Sequence, residues 1–157
     1  MSSYEIIPVI IRRSAGSWKA SVAGARGSRR EGRTVDEAVR RAWSAMASRY
    51  TLPNPSEVVE QYELPRKAAL LLRAALRHYK KGDHFKAAQA ARDLAFSLDI
   101  RGRDVARMMQ ISVDELRSMI EEMEDAESVA TAEKALAEAR GKRLIPFQEH
   151  LARCART

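Results

Sequence analysis

The chain has 157 residues, 28 Lys/Arg against 21 Asp/Glu, a formal net charge of +7 and a mean hydropathy of −0.41. That is ordinary for a globular protein; no apolar run approaches the roughly 20 residues needed to span a bilayer, and Ile6–Ile11 is followed rather than preceded by its arginines, which excludes a signal-peptide pattern and predicts a cytoplasmic protein. One cysteine, Cys154, excludes an internal disulfide framework and a cysteine-built zinc site.

In chain order, Tyr4–Arg12 is rich in isoleucine and valine and ends at Ser14-Ala15-Gly16, after which Trp18, Ala20 and Val22 alternate with Lys19 and Ser21. This period of two predicts a hairpin, with Pro8 placing the first strand at a sheet edge or at a bulge. Ser28–Gly32 reads as a short, exposed third strand. Thr34 and Glu37 form a Thr-x-x-Glu capping box, and Val35, Ala38, Val39, Ala42, Trp43 and Met46 recur at helical spacing, predicting a helix from about Val35 to Arg49. Thr51–Glu63, with its two prolines, reads as a linker or as a short helical turn followed by an exit loop, and a domain boundary is set there.

From Leu64 the pattern is helical. Pro65 suits a first helical turn, Ala68–Leu76 is apolar enough to be largely buried, and Gly82-Asp83 breaks the run. Further helices are expected over about 83–97, with Phe85, Ala88, Ala91, Ala95 and Leu98 on one face, then over 102–110, 113–125 and 127–140. The expected organisation is therefore a module over 1–50, a linker over 51–63, a helical region over 64–126, and a helix with a partner-binding tail over 127–157. Charge is uneven along it: residues 1–50 carry +6, 51–100 carry +2 and 101–157 carry −1. The amino-terminal module is the basic one, a surface suited to phosphate or to an acidic protein.

Three constellations bear on function. The first is Tyr4–Ile11, Gly16-Ser17-Trp18-Lys19-Ala20 and Gly32-Arg33-Thr34-Val35-Asp36-Glu37-Ala38. It resembles the HicB-like antitoxin domain over about the first third of the chain, departing from it at Val22–Gly27, which lacks the usual proline and acidic residues. The resemblance implies an α+β chain whose small β-β-β-α module is a truncated RNase H-like fold that binds RNA without cutting it. A nucleic-acid or acidic-partner face on this module would comprise Trp18, Lys19, Arg29, Arg30 and Arg33.

The second constellation, residues 102–120, looks like a helix-turn-helix. Val105, Ala106, Met109, Ile111, Leu116 and Met119 occupy its core positions, Gln110 stands where glycine is common, and Ser112 and Glu115 form a second capping box that would turn the Glu115 carboxylate back onto the helix. As a DNA reader it would place Arg117 and Ser118 on bases and Arg101, Arg103 and Arg107 on phosphates. Residues 114–138, with nine Asp/Glu against two Lys/Arg, oppose insertion of that whole segment into a groove. The third constellation is the carboxy-terminal stretch, similar to the tails of several bacterial antitoxins, with Leu144, Ile145, Phe147 and Leu151 as its partner-binding residues.

No catalytic constellation is visible: His78, His84 and His150 fall in no nucleophile or ligand motif, and neither a metal nor a cofactor is expected. The combined expectation is an antitoxin and autoregulatory DNA-binding repressor of a toxin-antitoxin pair, a homodimer or higher homo-oligomer with a toxin protein and operator DNA as partners. The alternatives are a nucleic-acid-binding protein without sequence preference that uses the basic module, and a protein-only adaptor.

Overall fold

A computed structural model of the chain describes residues 5–50 and 56–140. Its four strands are β1 (Glu5–Ser14), β2 (Ser17–Val22), β3 (Arg30–Gly32) and β4 (Ser56–Glu63), and its five helices are α1 (Val35–Ala47), α2 (Arg66–Lys80), α3 (His84–Leu98), α4 (Gly102–Met109) and α5 (Val113–Ala139). The class is α+β, with one mixed sheet of order β3-β2-β1-β4.

The β1–β2 hairpin closes at Ser14↔Ser17 through Ala15 (φ 43°) and Gly16 (φ 83°). Two consecutive positive φ values give the loop the twist that matches its strands. Alternation then sorts the side chains: Ile7, Val9 and Ile11 of β1 and Trp18, Ala20 and Val22 of β2 are buried on one face. The helical spacing of Val35, Ala38, Ala42 and Met46 supplies the apolar stripe of α1 that covers them. Gly32 makes that approach possible, because a Cβ there would lie 2.5 Å from the Ala38 backbone nitrogen.

Two expectations about the sheet are overturned. The segment 51–63 is no linker over its second part, since Ser56–Glu63 is β4 and runs parallel to β1 from Glu5↔Ser56 to Arg12↔Glu63. Its weak alternation hid it: the side chains facing the interior include Glu60, paired with the distant Arg107, and Tyr62, whose hydroxyl donates to Glu60 within the strand. Consequently β1 is central, although it carries Pro8. The strand tolerates the missing donor because its ladder with β2 stops at Val9↔Val22, and Pro8 contributes only its carbonyl, which accepts from the Ala23 amide at 2.9 Å. The third strand is also shorter than expected, and Ser28, expected to be exposed, is buried with its hydroxyl accepting from the Val22 amide (2.9 Å) and donating to the Ala25 carbonyl (2.8 Å).

The helices α2 and α3 form an antiparallel pair around Lys81-Gly82-Asp83, with Gly82 at φ 74° and Asp83 capping α3 through the Lys86 amide. The expected burial of 68–76 is only partial: Ala68 and Ala75 are buried, whereas Leu70 is 55% exposed, because α2 rests one face on its neighbours and turns the other outward. On α3 the buried face is Ala87, Ala88, Ala90, Ala91, Leu94 and Leu98, and Phe85 lies outside it. The helices expected over 113–125 and 127–140 are one, α5, since neither glycine nor proline interrupts them. Residues through Ile120 form one compact unit, so no division falls at the expected linker; a second unit begins at Glu121, and its described part is the remainder of α5 with Arg140.

Candidate nucleic-acid interface

Two side chains on successive turns of α4 fix that helix to the sheet module. Asp104 is 3% exposed; its Oδ2 accepts from the Trp18 indole N–H at 3.2 Å and its Oδ1 from the Val35 amide at 3.0 Å. One carboxylate thereby satisfies the only polar atom of a fully buried tryptophan and an orphan amide at the start of α1. One turn later, Arg107 donates from Nε and Nη2 to Glu60 of β4, at 3.1 and 2.5 Å, and from Nη1 to Asp36 of α1 at 2.9 Å. Burial opposes ionisation of Glu60, but the hydrogen bonds from Arg107 and from the Tyr62 hydroxyl (2.6 Å) outweigh it and hold its carboxyl below the usual range. Burial and the same contact with Glu60 push the Tyr62 phenol up.

These contacts remove two residues from the expected binding surfaces. Trp18 is fully buried, its ring in the core and its N–H spent on Asp104, so it offers no stacking platform. Arg107 is fully engaged by two carboxylates and is a structural cross-link; a phosphate would have to displace both of them.

Arginines from two segments far apart in sequence meet on one cleft. A hollow of about 410 Å³ is lined by Arg13, Gly16, Arg33, Asp99, Ile100, Arg101 and Asp104. Arg13 forms its wall: it donates to the carbonyls of Leu98 (Nε, 3.3 Å) and Asp99 (Nη2, 2.8 Å), and its guanidinium lies 5.3 Å from the centre of the Trp18 ring. The left-handed Asp99 (φ 49°), which ends α3, turns those carbonyls toward it. Arg33 precedes the N-cap of α1, its backbone amide donating to the Glu37 carboxylate at 2.8 Å, and Arg101 is the N-cap of α4; both are exposed, and among the described residues neither guanidinium has a hydrogen-bond or ion-pair partner. Arg103, in the first turn of α4, is also exposed. The cleft therefore presents two uncommitted guanidinium groups, each able to grip a phosphate through two N–H bonds.

A second, smaller basic hollow of about 150 Å³ lies on the face of the sheet opposite α1, between Ile10, Arg12, Lys19, Ser21 and Arg29. Arg12 is paired with Glu63, which raises its pKa. Lys19 reaches the Ser14 hydroxyl at 3.4 Å, and Arg30 folds back onto the carbonyls of Gly27 (2.9 Å) and Arg29 (2.8 Å). Lys19 and Arg29 are the cations this face retains.

At the start of α5 the Ser112 hydroxyl accepts from the Glu115 amide at 3.1 Å, as the capping box requires, but the Glu115 carboxylate accepts from the Tyr79 hydroxyl at 2.5 Å instead of turning back on the helix. Arg117 is exposed and paired with Asp114 at 3.3 Å, and Ser118 is exposed beside it. Leu144, Ile145, Phe147 and Leu151 lie outside the described residues, as do His150 and Cys154. Sequence reading missed Arg13, Glu60 and Asp104. The signal for Asp104 was the strand tryptophan itself: a buried indole demands an acceptor, and no neighbour in the hairpin sequence supplies one. Among the described residues no cluster of His, Cys, Asp and Glu has the makings of a metal site, and no helix is long and apolar enough to cross a membrane. Compared with known proteins, the chain matches no family model, no curated protein and no solved structure.

Proposed function

We propose that the chain is an antitoxin-type, DNA-binding autoregulatory repressor that grips the phosphate backbone on the Arg33–Arg101 cleft. The observation that carries this reading is the meeting of Arg33 and Arg101, both exposed and both uncommitted, beside the fixed Arg13. Arg103, exposed in the first turn of α4, adds a cation two residues from Arg101, and Lys19 and Arg29 provide a second contact on the sheet face opposite α1. The β-β-β-α order of Glu5–Ala47 supports the HicB-like and truncated RNase H-like reading of the module, and with it a toxin as the protein partner. In this reading toxin contact belongs to Leu144, Ile145, Phe147 and Leu151, and base contact to Arg117 and Ser118.

A second reading, backbone binding without sequence preference, is favoured by one observation: the first turn of α5 exposes Asp114 and Glu115 and ties Arg117 to Asp114, so little of that turn is suited to a base edge. One titration tests both. Fluorescence anisotropy compares the chain's own upstream duplex with an unrelated duplex of equal length at about 150 mM salt, then across a salt series. Repression predicts preference for the upstream duplex; the second reading predicts equal affinities. In either case Arg33→Ala with Arg101→Ala lowers the slope of log K against log salt by about two. An unchanged slope refutes the cleft as the phosphate contact, and no binding at all refutes both readings in favour of a protein-only adaptor.

A further inference from the structure

Two helical stripes of opposite charge are exposed without partners among the described residues. On α2, Arg66, Leu70, Arg73 and Arg77 recur at spacings of four, three and four, followed by Lys81; all are exposed, and α2 contains no acidic residue. None of those four cations has an ion-pair partner among the described residues. On α5, Asp125, Val129, Ala132 and Leu136 recur at the same spacing with Glu133 beside them, and Val129 and Leu136 are 58% and 65% exposed. Such spacing lines residues along one side of a helix. On α2 the aliphatic member, Leu70, stands among cations; on α5 Val129, Ala132 and Leu136 stand beside Asp125 and Glu133, with the cationic Arg140 one turn beyond.

The second half of α5 lacks a packed face among the described residues. From Glu124 to Ala139 no residue is buried and only Glu127 and Ala139 are half-buried. Most helical stability in proteins comes from packing of an apolar face, and the exposed Val129 and Leu136 offer one here. The α2 stripe fits in length as well as charge: 15 residues against 16, each about 23 Å at 1.5 Å per residue.

We infer that the partner is a second copy of this chain, with the acidic stripe of α5 from each copy seated on the basic stripe of α2 from the other. The proposed exchange is reciprocal, the form of contact found in two-fold dimers. Leu70, Val129 and Leu136 supply the apolar centre. The flanking ion pairs set the register and make association salt-dependent, since each exposed pair alone is weak.

The test is sedimentation velocity on the full chain and two charge-reversed variants, Arg73→Glu with Arg77→Glu and Asp125→Arg with Glu133→Arg, at about 50 and about 500 mM salt. The wild type is expected to be a dimer at low salt and to dissociate at high salt; each variant alone associates at least tenfold more weakly; and a mixture of the two variants restores the dimer, because each supplies the charge the other has lost. All four positions are exposed, so far-UV circular dichroism of each variant at high salt should match the wild type. Leu136→Ser, which changes no charge, weakens the dimer in the same way. A monomeric wild type at low salt, a dimer untouched by either reversal, or a mixture that stays monomeric overturns the inference. If the wild type is monomeric and Arg73→Glu with Arg77→Glu abolishes duplex binding, the α2 stripe belongs to nucleic acid instead.

Discussion

Replacing Asp104 by alanine should loosen the joint between α4 and the sheet module, and its size follows from the two donors left behind. The Trp18 indole N–H (3.2 Å) and the Val35 amide (3.0 Å) both lose their acceptor in a site that is 3% exposed. An unsatisfied buried donor costs about 1–3 kcal/mol, so Asp104→Ala should destabilise by about 2–6 kcal/mol, and at 2–4 °C per kcal/mol the midpoint of thermal unfolding should fall by roughly 10 °C. Asp104→Asn keeps one acceptor oxygen but aims an amide N–H₂ at the other donor, so it should recover less than half of the loss. The assay is urea unfolding followed by far-UV circular dichroism, with Trp18→Phe completing a double-mutant cycle. Phenylalanine has no N–H to strand, so Asp104→Ala should cost about 1 kcal/mol less, or better, in that background. A loss below about 1 kcal/mol for Asp104→Ala, or strict additivity with Trp18→Phe, would refute the shared-acceptor account.

The Arg107–Glu60 pair predicts a pH dependence. Because the Glu60 carboxyl is held below its unfolded value, its contribution to stability is complete above the ordinary carboxylate range near about pH 4.3 and is lost as pH falls through the depressed value. Arg107→Met should cost about 1–3 kcal/mol at neutral pH and should make the acid-side loss of stability shallower, as chemical unfolding at pH 3 to 7 would reveal; an acid limb identical to the wild type would contradict this. Gln110→Gly should stabilise by about 0.5–1 kcal/mol, since Gln110 sits in the left-handed region (φ 58°) that glycine adopts without strain. Thermal unfolding of that single variant is sufficient, and a decrease in stability would show that the Gln110 side chain makes a compensating contact.

What was legible in the sequence was everything set by local periodicity and backbone chemistry. The hairpin followed from alternation around Ala15-Gly16, α1 from its cap and stripe, the breaks before α3, α4 and α5 from short polar turns, and the basic character of the amino-terminal module from counting charge. The fourth strand was not legible, because its register with β1 is parallel and nonlocal, and its inward Glu60, to which Tyr62 donates within the strand, is paired only once Arg107, 47 positions away, is in place. The same holds for the site. Sequence marked Arg33 and Arg101 as members of separate constellations, and Trp18 and Arg107 as surface groups; folding set the first two on one cleft, buried Trp18 and committed the half-buried Arg107 to two carboxylates. A side chain's charge is a property of its residue, but its availability depends on which distant carboxylate or donor the chain brings beside it. That is decided when the sheet, α1 and α4 close on Asp104 and Arg107.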